Sequence, residues 1–445
     1  MFRNKALTRE ALAIGYPIII GMLSTTIMNI ADLAMVGRLG AAAIAAVGLC
    51  GIFFYTVSSA VSSLSVGVQT VASRRFGEQK FSETGRVLWN ALLLAVVFGL
   101  PLLLLGAFFG DDFIGLLNND PDVISLGEGY IRIRFLSIVF VAMNMAFLGF
   151  YNGVARTKIH LKVTVVANVL NVIMNYVFIF GHLGFPEMGV NGAALASTLS
   201  MLYATLNYAF LGYRDPLRDE YAFLKPSRLS GELMGKVIRL SAPVAVQNAV
   251  VHAGFTVFFV IVGHISTIAL AASEIVFNIL SFSFMPGFGM GMAAGTMVGK
   301  YLGDLQPDRA EESGWLNMRL TILFMGVMGI IFILIPEVIL RGFTPEAEVI
   351  REGKIALQVL GAIQFVDACG LSLSGALRGA GDTTFVSAIE IVINLGMFLP
   401  MTWYFSIHLE MGLAGAWFGF ALYIFVFAGA MIFRFHQGRW KTIQV

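Results

Sequence analysis

Long apolar runs recur along the chain, separated by short polar connections. They fall near residues 11–36, 43–72, 85–110, 123–152, 160–181, 190–213, 237–263, 268–299, 313–340, 353–377, 383–407 and 411–434. A helix needs about 20 mostly apolar residues to cross the hydrocarbon core of a bilayer. The pattern therefore predicts twelve transmembrane helices, several of them long enough to tilt or to extend beyond the membrane. Gly and Pro are frequent inside the runs, which lipid-embedded helices tolerate better than soluble ones. One long charged stretch interrupts the series near residues 214–236. It divides the chain into an N-terminal six-helix bundle (1–213), a cytoplasmic linker (214–236) and a C-terminal six-helix bundle with a short tail (237–445).

The halves repeat. At an offset of 226 residues, Pro17 meets Pro243, Val36-Gly37 meets Val262-Gly263, and Ala45-Ala46 meets Ala271-Ala272. Gly77 then meets Gly303, and Asn152-Gly153 meets Arg378-Gly379. A three-residue deletion changes the offset to 223, where Met188-Gly189-Val190-Asn191-Gly192-Ala193 meets Met411-Gly412-Leu413-Ala414-Gly415-Ala416. Each half has six spans, so both enter the membrane in the same direction. The expected fold class is an all-α polytopic membrane protein whose two six-helix bundles form a parallel repeat about a pseudo-two-fold axis along the membrane normal. Transporters commonly use such repeats, with bundles that rock around a central cavity.

Composition agrees with that picture. The 445 residues are 58% hydrophobic and 13% charged, where soluble domains carry about 25% charge. A net charge of +2 gives no basic excess for nucleic acid. Cys50 and Cys369 lie in apolar segments without metal-ligand spacing. The N-terminus MFRNKALTRE is short and basic, with no small-residue cleavage pattern after it, and reads as a cytoplasmic start to the first span.

Loop charge sets the orientation. Arg3, Lys5 and Arg9 precede the first span; Arg74, Arg75 and Lys80 occupy the second connection, and Arg156, Lys158 and Lys162 the fourth. Arg214, Arg218, Lys225 and Arg228 occupy the sixth, and Arg434, Arg439 and Lys441 follow the last span. The third connection carries Asp111, Asp112, Asp120 and Asp122 and no Lys or Arg. Positive residues stay inside, so both termini are expected in the cytoplasm of an inner-membrane protein. Trp89, Trp315, Trp403 and Trp440 fall near span ends, where indoles prefer to sit.

Polar residues inside the spans mark candidate chemistry, because a charge at bilayer depth costs at least about 2.5–3.5 kcal/mol. In the first span, Thr25, Asn29 and Asp32 are spaced four and three apart and share one helix face. In the fifth, Thr164, Asn168, Asn171 and Asn175 do the same. Two polar faces in one half most simply face each other. They offer a carboxylate and amide oxygens, donors suited to a small cation or a proton. The bland alternative for the asparagines is helix–helix hydrogen bonding.

The second half has its own set. Asn248, His252 and Thr256 share a face of the seventh span, and Glu274 and Asn278 lie one turn apart in the eighth. Gln364 and Asp367 lie in the tenth, and Ser387, Glu390 and Asn394 in the eleventh. Asp367 lies well inside its span and reads as functional by default. Glu274 and Glu390 either act or brace their neighbours. His252 either packs or couples protons. At the 226 offset Asp32 maps to Phe258 and Asp367 to Val141, so the intramembrane carboxylates are not symmetric. The 38 Phe and 21 Met offer apolar and aromatic lining for varied ligands.

With these motifs in order, the chain resembles the multidrug and toxic compound extrusion (MATE) family over nearly its whole length. Asn29-Ile30-Ala31-Asp32 followed by Val36-Gly37-Arg38-Leu39-Gly40 is similar to the family's first-span signature. Leu377-Arg378-Gly379-Ala380-Gly381-Asp382-Thr383 resembles the signature after the tenth span, with Asn152-Gly153-Val154-Ala155-Arg156-Thr157-Lys158 as its first-half counterpart. Met188-Gly189-Val190-Asn191-Gly192-Ala193-Ala194-Leu195-Ala196-Ser197 is similar to the start of its sixth span.

The resemblance implies export of organic cations and lipophilic drugs, driven by inward flow of Na⁺ or H⁺, with no other cofactor. It also implies a first-half cation site made of Asp32, Asn171, Ser197 and the position four after Asn171. The family places an acid at that last position; Asn175 stands there instead, keeping an oxygen donor but losing a charge. A substrate or second cation site would draw on Asp367, Glu274, Asn168, Gln364 and Glu390, but the family's seventh-span Glu falls near Val251 here. No metal is expected beyond Na⁺ at Asp32. The expected partners are small-molecule substrates and membrane lipid, with no nucleic acid. A functional monomer is expected, since one chain holds both halves.

Three other readings compete. A flippase for a lipid-linked or amphipathic metabolite would favour a basic cavity. A structural membrane module would show no ion-dependent flux. An intramembrane enzyme would need a nucleophile and base, or clustered metal ligands, at membrane depth. The sequence has no HExxH pattern, no GxSxG elbow in a strand–turn–helix context and no paired histidines, so an enzyme is not expected.

Overall fold

The computed structural model describes residues 4–117, 119–214, 218–223 and 229–445. Arg3, Lys225 and Arg228, counted among the loop charges, lie outside the described residues, and the 214–236 linker is described only in part. Among the described residues the regular structure is helical, with no strand. The helices are α1 Lys5–Gly37, α2 Ala41–Ser62, α3 Leu64–Gly77, α4 Phe81–Leu117, α5 Pro121–Leu136, α6 Ile138–Gly153, α7 Thr157–Phe180 and α8 Gly189–Arg214. They continue with α9 Gly231–Ile265, α10 Thr267–Gly303, α11 Pro307–Leu334, α12 Pro336–Arg341, α13 Ala347–Ala380, α14 Thr383–Ile393, α15 Leu399–Trp403 and α16 Gly412–Gln437.

Among the described residues, eleven helical stretches are long and apolar enough to span a membrane, and the bent pair α5–α6 makes a twelfth. The bend is 42° and centres on Ser137. The Ser137 hydroxyl donates to the Arg134 carbonyl at 2.6 Å, the kind of back-bonding that loosens a helix ladder. Twelve spans therefore match the periodicity of the apolar runs.

The eleventh span shows how the two offsets arise. It runs from α14 through a π-helical turn at Asn394–Phe398, then α15, then a second π turn at Tyr404–His408. This gives 26 residues where α7, its counterpart, has 24. The connection after it shrinks from residues 181–188 in the first half to 409–411 in the second. What reads in sequence as a three-residue deletion is a longer helix joined to a shorter loop. A π turn absorbs an extra residue without breaking the helix, and such turns cluster at functional sites.

The chain divides into two compact units. One comprises Ile20–Ala245; the other joins Met1–Ile19 to Val246–Val445. The divisions fall inside α1 and α9, each two residues after a helix-interior proline, Pro17 and Pro243. The start of α1 thus belongs with second-half helices, where Glu10 accepts from Lys300 Nζ at 2.7 Å and from the Tyr301 hydroxyl at 2.5 Å. The start of α9 belongs with first-half helices, where the Ser230 amide donates to Asn90 Oδ1 at 2.9 Å. The expected boundaries at 1–213 and 237–445 differ from this division by those exchanged helix ends. A linker of polar residues is visible in sequence, whereas an exchange inside an apolar helix is not.

Both units rest on the same close crossings. In the second-half unit, a Cβ added at Gly375 or Gly379 of α13 would strike the backbone of Gly291 or Gly295 of α10. In the first-half unit, a Cβ at Gly149 of α6 would strike the Ser65 carbonyl of α3, and one at Gly153 would come within 3.0 Å of the Gln69 carbonyl. All four pairs obey the 226 offset. The exchanged helix ends repeat the theme: Gly15 packs beside Ala293, and Gly67 packs beside Ser241. Lipid supplies no hydrophobic drive between helices, so close backbone approach at small residues must supply the packing. Trp440, just beyond the end of α16, is fully buried, with its ring 4.6 Å from that of Phe435.

Gly379→Val and Gly153→Val are each expected to destabilise the protein by about 1–3 kcal/mol through overpacking. Gly429→Ala, where an added Cβ meets nothing within 4 Å, should leave stability unchanged. Thermal unfolding of the detergent-purified variants measures the difference.

Candidate functional site

In the first-half unit, α1 and α7 face each other along their polar stripes. Near the middle of both helices, Asn168 Nδ2 donates to Ser24 Oγ at 3.0 Å and Thr25 Oγ1 at 3.3 Å. Two turns further along α7, Asn175 Nδ2 donates to Asp32 Oδ1 at 2.5 Å. The Asn171 amide lies between Asp32 and Ser197, whose hydroxyl is 3.5 Å away. With its nitrogen turned to the acid, Asn171 donates to Asp32 Oδ1 at 2.8 Å and Oδ2 at 3.2 Å, the orientation that satisfies the network. Asn171 and Asn175 are each 1% exposed, while Asp32 is half-buried. The four residues implied by the family resemblance therefore meet around one carboxylate.

The stripe is not uniform. Asn29 is exposed, and Thr164 bonds to His160, which is buried and 2.6 Å from the Tyr208 hydroxyl. The Asn175 Oδ1 is buried without a hydrogen-bond partner. Among the described residues one cation acts on the group: Arg134 of α5 bears on both Asp32 and Tyr130 through its charge. Neither residue was singled out from the sequence, although Arg134 stands inside an apolar run, which is the signal that marked Asp32. An apolar cavity of about 230 Å³, lined by Val61, Leu64, Leu94, Phe98 and Ile238 among others, lies in the same unit. None of the polar site residues lines it.

The second-half unit gathers a different set. Asp367 is 5% exposed, and its Oδ2 is buried without a partner. Glu390 lies within electrostatic range of it. Arg378 Nη2 is 3.5 Å from Glu390 Oε2 and donates to Gln247 Oε1 at 3.1 Å. Gln247 Oε1 also accepts from Ser387 Oγ at 2.9 Å, and the Tyr423 hydroxyl donates to Glu390 Oε1 at 3.5 Å. Gln364 accepts from Ser283 at 2.8 Å. One carboxylate, Glu390, thus pairs with the guanidinium, while Asp367 lies beside Glu390 without a cation of its own on Oδ2.

Two residues that the sequence grouped with Asp367 lie elsewhere. Asn168 belongs to the first-half group, on Ser24 and Thr25. Glu274 is exposed, and its backbone carbonyl accepts from the Asn278 side chain at 2.8 Å. Sequence spacing places residues on faces of one helix but does not say which helices pack. Gln247, Arg378 and Tyr423 were missed as site residues for that reason.

The repeat makes the contrast between halves concrete. Asp32 corresponds to Phe258 at the 226 offset, and Ser197 to Phe420 at the 223 offset. Allowing one residue for the first π turn, Asn171 corresponds to Phe398. Phe258, Phe398 and Phe420 form a connected ring cluster, with centroids 5.5 Å and 5.6 Å apart along the chain of contacts. Where one half builds a hydrogen-bonded carboxylate, the other builds an aromatic core from the same positions.

Comparison with known proteins supports one assignment. The MatE family model matches the chain twice, over residues 17–177 and 243–404. The chain is 28% identical over 422 residues to a probable multidrug resistance protein NorM of Thermotoga maritima, covering 93% of this chain and 89% of the relative. It is 30% identical over 424 residues to a probable multidrug resistance protein NorM of Rhizobium meliloti, covering 93% and 90%. Its fold matches an outward-facing multidrug resistance MATE family transporter with a TM-score of 0.89 at 21% identity, covering 97% of this chain and 95% of that one. It also matches a MATE transporter of Vibrio cholerae with a TM-score of 0.90 at 16% identity, covering 97% of each. The two model matches begin at Pro17 and Pro243, the residues that also open the internal repeat. The chain is a multi-pass membrane protein that belongs to the MatE, or MATE, family of transporters.

Proposed function

We propose that this protein is a multidrug exporter of the inner membrane, with both termini cytoplasmic, coupled to proton entry by alternating access. The observation that carries the reading is the Asp32 carboxylate held at membrane depth by the amides of Asn175 and Asn171. The NorM relatives are multidrug resistance proteins, which supports the substrate class of organic cations and lipophilic drugs.

The geometry favours H⁺ over Na⁺. A sodium ion needs oxygen atoms aimed at it. Around Asp32 the amides present N–H groups instead, and the acid expected at position 175 is replaced by Asn175. An ionised Asp32 accepts from these amides. A protonated Asp32 needs an acceptor, and Asn175 Oδ1, buried and unpartnered, becomes one when the amide turns over. Both protonation states can therefore be satisfied by the same side chains. Coupling requires that one access state bind the proton better than the other.

The second-half network gives the proposed substrate or second cation site. Arg378 balances one of the two carboxylates Asp367 and Glu390, leaving one negative charge for a cationic group. Buried charge of this kind is retained at membrane depth where it serves transport.

The test is drug efflux from reconstituted vesicles under separate proton and Na⁺ gradients. The wild-type protein should respond to the proton gradient. Asp32→Asn should lower proton-driven efflux by about tenfold or more, the scale of a coupling free energy of roughly 1–3 kcal/mol. Intact proton-driven efflux in that variant would remove Asp32 from the coupling role. Efflux driven by Na⁺ alone would replace the proton with sodium.

Arg378→Gln should destabilise the protein by about 1–3 kcal/mol, because it strands a mostly buried carboxylate. The double variant Arg378→Gln with Glu390→Gln should recover most of that loss. Thermal unfolding in a double-mutant cycle reads the coupling between the two side chains.

A further inference from the structure

The apolar cavity of about 230 Å³ in the Ile20–Ala245 unit takes no part in the polar site, and it borders the exchanged end of α9. From α9 it takes Ile238, Ser241, Ala242 and Ala245, which share one helix face around Pro243. The middle of α4, including Phe98, forms another wall, and the α2–α3 junction and α6 complete the lining. Its two serines offer no hydroxyl to the space. Ser63 Oγ donates to the Ala60 carbonyl at 2.6 Å, and Ser241 Oγ is buried against Gly67 of α3. Phe98, Ile238 and Ala242 are exposed, so the cavity opens at the surface of the unit. Beside that mouth, α4 has no polar side chain from Ala91 to Gly110 and exposes Val97, Leu100 and Leu104. A continuous apolar face of this kind on a spanning helix belongs to lipid.

One charge stands at the mouth. Arg239 is exposed and lies three residues before Ala242, so the two are neighbours on the surface of α9. Lys236, one turn earlier, pairs with Glu232 at 3.0 Å. Among the described residues no carboxylate pairs with Arg239. A long basic side chain near the end of a span lays its stem along apolar surface and carries its charge to the lipid phosphates. The size of the cavity narrows the occupant. Drug-sized ligands fill roughly 300–1,000 Å³, so this space suits something slimmer. Apolar walls also exclude water. A hydrocarbon chain with a phosphate near one end fits both the walls and the cation.

We propose that the cavity is a lipid site, in which one acyl chain of a phospholipid lies beside Pro243 with its phosphate on Arg239. The chain fills the space between α4 and the start of α9, and so holds that helix end in the first-half unit. Pro243 has no N–H for the Arg239 carbonyl, which weakens the helix ladder at the same level. A lipid seated there favours the arrangement of α9 that forms the cavity, as any ligand favours the state it binds. Phospholipid binding at this place does not depend on proton coupling at Asp32.

The test uses the full-length protein in nanodiscs of phosphatidylglycerol, a small fraction of which carries a diazirine on one acyl chain. Photolabelled peptides are mapped by mass spectrometry. Label is expected to concentrate on residues 238–245 of α9 and the middle of α4, well above its level on the exposed apolar face of α11 at Leu323, Val327 and Ile330. Ala242→Phe, which blocks the mouth, should remove that excess. Arg239→Gln should lower it about fivefold, the worth of one basic residue at a charged membrane surface. Equal label on α9 and α11 in the wild-type protein would overturn the proposal, and that outcome needs no variant to fold. Unchanged label in Ala242→Phe would overturn it as well. Loss of the excess on adding the multi-ring cation rhodamine 6G would overturn it in favour of a drug site, whereas label that persists supports the lipid.

Discussion

Helix backbones brought into contact at glycine are the constraint on which the rest of this protein depends. In lipid, apolar side chains gain little by leaving one apolar neighbour for another, so helices associate through close packing. Gly375 and Gly379 let α13 lie directly on α10 at Gly291 and Gly295, and Gly149 and Gly153 let α6 lie on α3. A side chain at any of these positions would separate the helices and shift every residue they carry. The polar groups that matter are carried by such frames. Asp367 is two to three turns from Gly375 on the same helix, so its depth and direction depend on that crossing.

A shared frame permits divergence elsewhere. Positions that hold Asp32, Asn171 and Ser197 in one half hold Phe258, Phe398 and Phe420 in the other, and each trio packs as a group. Carboxylate and amide satisfy each other by hydrogen bonds; the rings satisfy each other by contact. The charged residues then distribute unevenly, with Asp32 and Arg134 in one unit and Asp367, Glu390 and Arg378 in the other. This unevenness distinguishes a working transporter from a duplicated scaffold, since packing alone gives no reason to retain charge at depth.

The π turns in the eleventh span extend the same point. Two residues more than in α7 are accommodated within a continuous helix, and Asn394 opens the first turn with both amide atoms buried and unpartnered. Each extra residue shifts which side chain faces a given direction by one position, about 100° or just over a quarter of a turn. Phe398 thereby occupies the place that Asn171 holds in the other half. The helix keeps its span of the membrane while its facing residues change.

Much of the architecture was legible in the sequence because the bilayer restricts what a chain can do. Twelve apolar runs mean twelve helices, since no other open structure satisfies backbone groups in lipid. The equal spacing of Pro17 and Pro243, and of Gly153 and Gly379, revealed the repeat. Helical period placed Asp32 on one stripe and Asn168, Asn171 and Asn175 on another. What the sequence could not reach was anything set by which helix packs on which. The exchange of helix ends after Pro17 and Pro243, the division of a three-residue offset between π turns and a loop, and the arrival of Arg378, Gln247 and Tyr423 around Glu390 all depend on tertiary contacts. So does the separation of Glu274 and Asn168 from Asp367. Periodicity is a local property of one helix, and hydrogen bonds between helices depend on the rotation and depth at which close packing sets each of them.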